Sequence, residues 1–160
     1  MAKILLVDDD VILLQNLERI LSFAGHQCLG VTSGPEAVAR YAEFQPDTSL
    51  IDVWMPDMDG FETMKLIRAA EPKARIIIFS GNAVFNDRPM GTVAEELGAN
   101  AAAEKPFDAL ELRDLIAKVV AAPEGAPFEF LPACAPRTIP FTPPPRMGFY
   151  GNAPRRTQPH

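Results

Sequence analysis

Carboxylates follow two apolar segments of the chain at the point where each segment ends. Asp8 and Asp9 come directly after the run KILLV (3–7), and Asp52 comes directly after TSLI (48–51). Carboxylate oxygens are the ligands that Mg2+ prefers, and an aspartate can also act as a nucleophile. Two bare charges about 4 Å apart repel by roughly 4 kcal/mol at an effective dielectric near 20, so clustered acids require a cation or a raised pKa.

Two further polar side chains end apolar segments later in the chain. Ser80 follows RIIIF (75–79), and Lys105 follows NAAAE (100–104). If all these segments are parallel strands of one sheet, their carboxyl ends meet at the same edge. A hydroxyl, an ammonium group and three carboxylates would then suit phosphoryl transfer to Asp52, with Lys105 and a metal ion neutralising the phosphoryl oxygens.

The apolar pattern predicts the elements that would bring these residues together. Continuous apolar runs are typical of parallel strands buried on both faces, and residues at helical spacing lie between them. This alternation predicts an α/β, flavodoxin-like, doubly wound five-stranded parallel sheet in the order 2-1-3-4-5, with helices on both faces. We predict strands at 3–7, 27–31, 48–51, 75–79 and 100–104, and helices at 11–24, 34–44, 60–70, 87–98 and 108–121.

Each of these polar residues, taken alone, also has a simpler structural interpretation. Acids in front of a helix often cap it, which would explain Asp8 and Asp9 and is the role that we assign to Asp10. Ser80 could be an ordinary strand-end hydroxyl, and Lys105 an ordinary solvated lysine. Only the combination of all positions favours a chemical site.

Four motifs, in this order and spacing, resemble the receiver domain of bacterial two-component response regulators. They are LLVDDD, LIDVWMPDMDG, IIIFSGN and EKPF, and the resemblance covers about residues 2–121. It implies that Asp52 is the phosphoacceptor, taking its phosphoryl group from a histidine kinase or a histidine phosphotransfer protein. It also implies a Mg2+ ion held directly by Asp9, Asp52 and the backbone carbonyl of Trp54, and by Asp8 through water.

The same resemblance assigns roles to the surrounding residues. Ser80 would hydrogen-bond the phosphoryl group, Lys105 would pair with it, and Pro106, often cis in this family, would fix the lysine's loop. Pro56 and Gly60 would bend the chain away from the site, because proline suits a turn and glycine tolerates unusual φ angles.

The chain departs from the family pattern at two places. Receivers commonly carry an aromatic residue on the fifth strand, three positions before the lysine, and this chain has Ala102 there. The stretch between Ser80 and Lys105 is also long, and Pro89 and Gly91 indicate a late start for the fourth helix. We therefore hypothesise that phosphorylation reorders residues 81–92, since such a loop has low local stability.

The composition changes beyond residue 121, where ten of the 16 prolines lie. We predict a receiver domain at 1–121 and a proline-rich tail at 122–160, either extended or disordered. Aromatic residues in the tail, such as Phe128 and Phe130, leave open that it docks on the domain or on a partner.

Bulk composition excludes several protein classes. The net charge of −6 disfavours direct nucleic-acid binding, and no apolar run approaches the roughly 20 residues of a membrane span. The N-terminus lacks a secretion signal, and Cys28 and Cys134 lack disulfide or zinc spacing. We therefore expect a cytoplasmic protein.

The favoured function is a stand-alone receiver that signals by partner binding or phosphorelay and is not a turnover enzyme. The alternative is a Mg2+-dependent aspartyl-phosphate phosphatase or phosphotransferase. Such enzymes generally carry a second acid two residues after the nucleophile, where this chain has Trp54. A homodimer, by family analogy, would use the face of the fourth helix, fifth strand and fifth helix.

Overall fold

The computed structural model describes residues 1–135, which form eight strands and five helices. The strands are β1 (Lys3–Val7), β2 (Gln27–Val31), β3 (Thr48–Asp52), β4 (Ile76–Ser80), β5 (Val84–Phe85), β6 (Arg88–Pro89), β7 (Ala101–Glu104) and β8 (Glu129–Leu131). The helices are α1 (Val11–Phe23), α2 (Gly34–Phe44), α3 (Gly60–Ala70), α4 (Met90–Glu96) and α5 (Ala109–Ala121). The rest of the predicted tail, residues 136–160, lies outside the described residues.

The main sheet has the order β2-β1-β3-β4-β7-β8, and every pair in it is parallel. The five predicted strands are therefore present in the predicted order 2-1-3-4-5, with β7 as the fifth. Apolar side chains of the central strands alternate between two cores. Leu5 and Val7 face the core that α2, α3 and α4 cover, whereas Ile4 and Leu6 face the core beneath α1 and α5. This two-sided burial explains the continuous apolar runs.

The sheet has a sixth strand that the sequence analysis did not predict. After α5 the chain returns to the sheet, and β8 pairs in parallel with Ala101–Ala103 of β7. The strand is only three residues long and lies between Pro127 and Pro132, so it has no readable period. Part of the predicted tail thus belongs to the sheet and covers the edge that the predicted dimer would use.

The long stretch between β4 and β7 contains a second, two-stranded sheet. β5 and β6 form an antiparallel hairpin whose two turn residues, Asn86 and Asp87, both have positive φ angles of 49° and 60°. That geometry is the primed turn that asparagine and aspartate tolerate best. The fourth helix consequently begins at Met90, three residues later than the predicted start at residue 87.

Helix caps account for several of the polar residues near the strand ends. Asp10 caps α1, since its Oδ1 accepts the N–H groups of Ile12 at 3.0 Å and Leu13 at 3.1 Å. The predicted capping role of Asp10 is therefore confirmed. Asp8 does not cap the helix, although its Oδ1 accepts the N–H of Asp10 at 2.8 Å. Across residues 1–135, no helix combines the length and apolar character that a membrane crossing needs.

Candidate functional site

The predicted site residues lie at the carboxyl edge of four neighbouring strands. Asp8 follows β1, Asp52 ends β3, Ser80 ends β4 and Lys105 follows β7. The strand register aligns these ends, because Asp52 pairs with Phe79 and Ser80 pairs with Glu104. Parallel strands in this order bring side chains that are far apart in sequence to one edge.

Three carboxylates converge at this edge in a form that suits a hard cation. Ligand atoms of Asp8, Asp9 and Asp52 all lie within 4.8 Å of one another. Asp8 and Asp52 are only 1% and 4% exposed, whereas Asp9 is exposed. An all-oxygen set with one solvent-facing member fits Mg2+, which binds one or two carboxylates and keeps several water ligands.

Lys105 contacts two of these three carboxylates directly. Its Nζ donates to Asp8 Oδ2 at 2.6 Å and to Asp52 Oδ1 at 3.0 Å. The ammonium group also lies 4.4 Å from the ring centroid of Phe79, a fully buried residue of β4. Two acids and an aromatic face therefore fix the lysine beside Asp52.

The surroundings of Asp52 favour its neutral form more than water does. The pKa of Asp52 is raised from 3.8 to about 6, mainly by burial. The charge of Lys105 works against this rise, and the charges of Asp8 and Asp9 add to it. At neutral pH the carboxylate is still mostly ionised and can act as a nucleophile. Burial alone would lower the pKa of Lys105. The hydrogen bonds and charges of Asp8 and Asp52 outweigh burial, so the pKa of Lys105 is raised.

Ser80 lies fully buried at the end of β4 and is tied to the neighbouring loops. Its Oγ accepts the N–H of Asn82 at 3.1 Å, and its carbonyl accepts the N–H of Lys105 at 2.7 Å. The residue thus connects the start of the β5–β6 hairpin with the lysine's loop. Its contact with a phosphoryl group stays a prediction.

The loop after Asp52 turns back against the backbone of Asp52 itself. The N–H of Gly60 donates to the Val53 carbonyl at 3.0 Å, and a Cβ at position 60 would overlap the carbonyl oxygen of Asp52. The predicted reason for this glycine, an unusual φ angle, is wrong because the φ of Gly60 is not positive. The residue with a positive φ in this loop is Asp57, at 68°. Gly60 is required by close packing. Pro56 is exposed in the same turn.

Trp54 and the hairpin form an aromatic cluster beside the site. The Trp54 side chain, 48% exposed, lies with its ring centroid 5.3 Å from that of Phe85 in β5. Phe85 in turn meets Phe61 of α3 edge-on at 4.9 Å. The loop between β4 and α4 is therefore packed against the residue that follows Asp52 by two positions. The metal-binding role of the Trp54 carbonyl stays a prediction.

Two aromatic neighbours of the site were not predicted from the sequence. Phe79 supports Lys105, and its position opposite Asp52 could have been found only from the strand register. Phe85 carries the hairpin contact, and the pair Asn86-Asp87 between Val84-Phe85 and Arg88-Pro89 was a readable hairpin signal. The peptide bond between Lys105 and Pro106 is cis, as the resemblance implied.

Sequence comparison gives relatives that this chain covers over nearly their whole length. The chain is 33% identical over 118 residues to the chemotaxis protein CheY of Thermotoga maritima, covering 73% of this chain and 96% of that protein. It is 32% identical over 116 residues to the sporulation initiation phosphotransferase F of Bacillus subtilis, covering 72% of this chain and 91% of that protein.

Structural comparison agrees with the sequence relatives. The CheY-like receiver domain of Methanospirillum hungatei matches with a TM-score of 0.69 at 26% identity, covering 75% of this chain and 94% of that one.

A sequence model described as the response regulator receiver domain matches residues 4–117. These residues contain the carboxylate cluster, Lys105 and the predicted nucleophile. The chain belongs to the response regulator receiver domain family.

Proposed function

We propose that Asp52 accepts a phosphoryl group from a phosphohistidine of a histidine kinase or a phosphotransfer protein. A carboxylate oxygen of Asp52 attacks phosphorus, the bond between phosphorus and the histidine nitrogen breaks, and the imidazole leaves with the bonding electrons. Because Asp52 reacts as the anion, no proton has to be removed from it. Its pKa of about 6 supports this state at neutral pH.

The residues around Asp52 would neutralise the charge that the transfer brings. Asp8, Asp9 and Asp52 would hold Mg2+, together with the Trp54 carbonyl; the bound ion supplies charge neutralisation for the phosphoryl oxygens. Lys105 is within hydrogen-bond distance of the nucleophile and would move its ammonium group to the new phosphoryl group. Ser80 would donate its hydroxyl to another phosphoryl oxygen.

The observation that carries this proposal is the paired contact of Lys105 with Asp8 and Asp52. One ammonium group beside two nearly inaccessible carboxylates, with a third acid within 4.8 Å, forms a site for a metal ion and an anionic group. The position that would hold an enzyme's general acid carries Trp54, whose ring packs on Phe85. This position therefore favours a phosphorylated switch over hydrolytic turnover.

The signalling output would be a phosphorylation-dependent protein contact or onward transfer to a phosphorelay partner. The acidic net charge of −6 supports a protein partner over direct nucleic-acid binding. A homodimer through α4, β7 and α5 would have to accommodate or displace β8, which pairs with β7. The expected cytoplasmic location stays a prediction.

Phosphotransfer from a panel of autophosphorylated histidine kinases tests this function. We expect at least one kinase to label the wild-type protein in Mg2+ and none to label Asp52→Asn. Asp57→Asn is the matched control, because Asp57 is an exposed acid of the same loop whose positive φ suits asparagine equally well. Labelling of Asp52→Asn at the wild-type rate would contradict the proposal.

A further inference from the structure

The chain after α5 occupies a groove along the outer edge of β7, the edge that does not pair with β4. Residues 128–134, here called the docking segment, include β8, and the N–H of Glu129 donates to the Asn100 carbonyl at 3.2 Å. The paired residues of β7 are three alanines, each fully buried. Main-chain pairing at such an edge accepts any extended segment, so specificity must come from side-chain pockets beside it.

One such pocket is built by Gly91 near the start of α4. A Cβ at this position would lie 2.8 Å from Cε2 and 3.0 Å from Cδ2 of the Phe130 ring, closer than carbon atoms approach. The ring of Phe130 thus fills the space that the missing side chain leaves. Phe128 packs on the core that contains Met90. The groove therefore accepts an extended segment with an aromatic residue at the position of Phe130.

The docking segment packs on the domain through Phe128 and Leu131, but much of the rest of it is open to solvent. Phe130 is 46% exposed, β8 has only three residues, and Pro132 ends it without a backbone donor. The ion pair between Glu129 and Lys118 spans 3.7 Å between two solvent-exposed side chains, and such pairs contribute little stability. Segments with few buried contacts open more readily than the core of a domain.

The docking segment is also bonded to both neighbours of Lys105. The N–H of Ala133 donates to Glu104 Oε2 at 3.3 Å, and the N–H of Cys134 donates to the Pro106 carbonyl at 2.7 Å. Lys105 lies between these two anchors and contacts Asp8 and Asp52. A phosphoryl group on Asp52 would draw the ammonium group of Lys105 to new oxygens. The two anchors of the docking segment, the Glu104 side chain and the Pro106 carbonyl, belong to the residues on either side of this lysine.

We propose that the docking segment is an internal ligand of a peptide-binding groove and that phosphorylation of Asp52 releases it. An extended segment of a partner protein, with an aromatic residue in the place of Phe130, then pairs with β7. This inference rests on the proposed function of Asp52. By linkage, if a phosphoryl group analogue weakens docking, then weakening the docking segment must tighten the binding of the analogue, by up to the same factor.

Amide hydrogen exchange of the full-length protein tests the release. Beryllofluoride with Mg2+ mimics an acyl phosphate, and fluorine NMR reports its binding independently. We expect exchange protection at residues 129–134 to fall about tenfold on loading. In the reciprocal test, Phe130→Ala should bind beryllofluoride about fivefold tighter or more. Phe23→Ala, which removes an 85% exposed aromatic ring from α1, should not change this affinity.

Peptide binding tests the identity of the occupant. A fluorescent peptide of residues 126–135 should bind the loaded Phe130→Ala protein about tenfold tighter than the unloaded wild type, by fluorescence anisotropy. The same peptide with alanine in place of Phe130 should lose this binding.

The possible results separate this inference from the proposed function. Bound beryllofluoride with unchanged protection and unchanged affinity in Phe130→Ala would overturn the release and leave the proposed function intact. Failure of beryllofluoride to bind would remove both. A loaded wild-type dimer that exchanges docking segments between copies would overturn the assignment to a foreign partner.

Discussion

Replacing Asp52 with asparagine should stabilise the metal-free protein, because it removes a charge that the fold holds out of water. The carboxylate is 4% exposed and lies within 4.8 Å of Asp8 and Asp9. An asparagine keeps an oxygen that can accept the hydrogen bond from Lys105 but carries no charge to desolvate.

The size of the effect follows from the pKa of Asp52. A rise from 3.8 to about 6 is about two units. At about 1.36 kcal/mol per unit, this corresponds to nearly 3 kcal/mol against the ionised form at neutral pH. This value already contains the favourable interaction of Asp52 with Lys105, but the asparagine amide does not reproduce every hydrogen bond of a protonated carboxyl group, which offsets part of the gain. We expect a net stabilisation of about 1–2 kcal/mol.

The sign of the pH dependence is fixed by the direction of the pKa shift. A raised pKa means that the folded protein binds more protons than the unfolded chain between the two pKa values. The stability that a protonated Asp52 contributes is fully present below pH 3.8 and is lost as the pH rises through about 6. The advantage of Asp52→Asn should therefore be absent below about pH 4 and complete at pH 7.

Urea unfolding in EDTA at about pH 4 and pH 7 measures this difference, with Asp57→Asn as the control for an exposed acid in the same loop. Adding Mg2+ should stabilise the wild type more than Asp52→Asn, because a ligand of the folded state stabilises by mass action. Equal stabilities at both pH values, or a less stable variant at pH 7, would refute the electrostatic reasoning.

Three further predictions concern the loops around the nucleophile. Gly60→Ala should destabilise the protein by about 2–3 kcal/mol in urea unfolding, because the added Cβ overlaps the Asp52 carbonyl. Gly81→Ala is the control, since a Cβ there would have no other atom within 4 Å, and equal losses in the two variants would contradict the packing argument. Trp54→Ala should shorten the lifetime of the acyl phosphate about threefold by admitting water, and equal hydrolysis rates would exclude this shielding. Beryllofluoride with Mg2+ should change amide exchange at residues 81–92, and unchanged exchange there would count against a moving hairpin.

The sheet and the site edge could be predicted because their signals are local and redundant. Buried parallel strands require continuous apolar runs, and the polar residue after each run marks the carboxyl edge. The predicted strand order placed Asp8, Asp52 and Lys105 together, and the structure gives their separations as hydrogen-bond distances.

The remaining features depend on tertiary contacts that leave little trace in the sequence. β8 forms because the edge of β7 is open and lined by alanines, and its own three residues have no period. Gly60 follows from a backbone approach that a turn rule does not anticipate. The support of Lys105 by Phe79 follows from strand register.

The most direct test of the central claim is the site and stoichiometry of phosphorylation. The wild-type protein is incubated with acetyl phosphate and Mg2+, and intact mass spectrometry counts the phosphoryl groups. Borohydride reduction then converts the phosphorylated aspartate to homoserine for peptide mapping. We predict one phosphoryl group, Mg2+-dependent and located at Asp52, and none on Asp52→Asn. Phosphorylation that is independent of Mg2+, or that maps to another residue, would contradict the account.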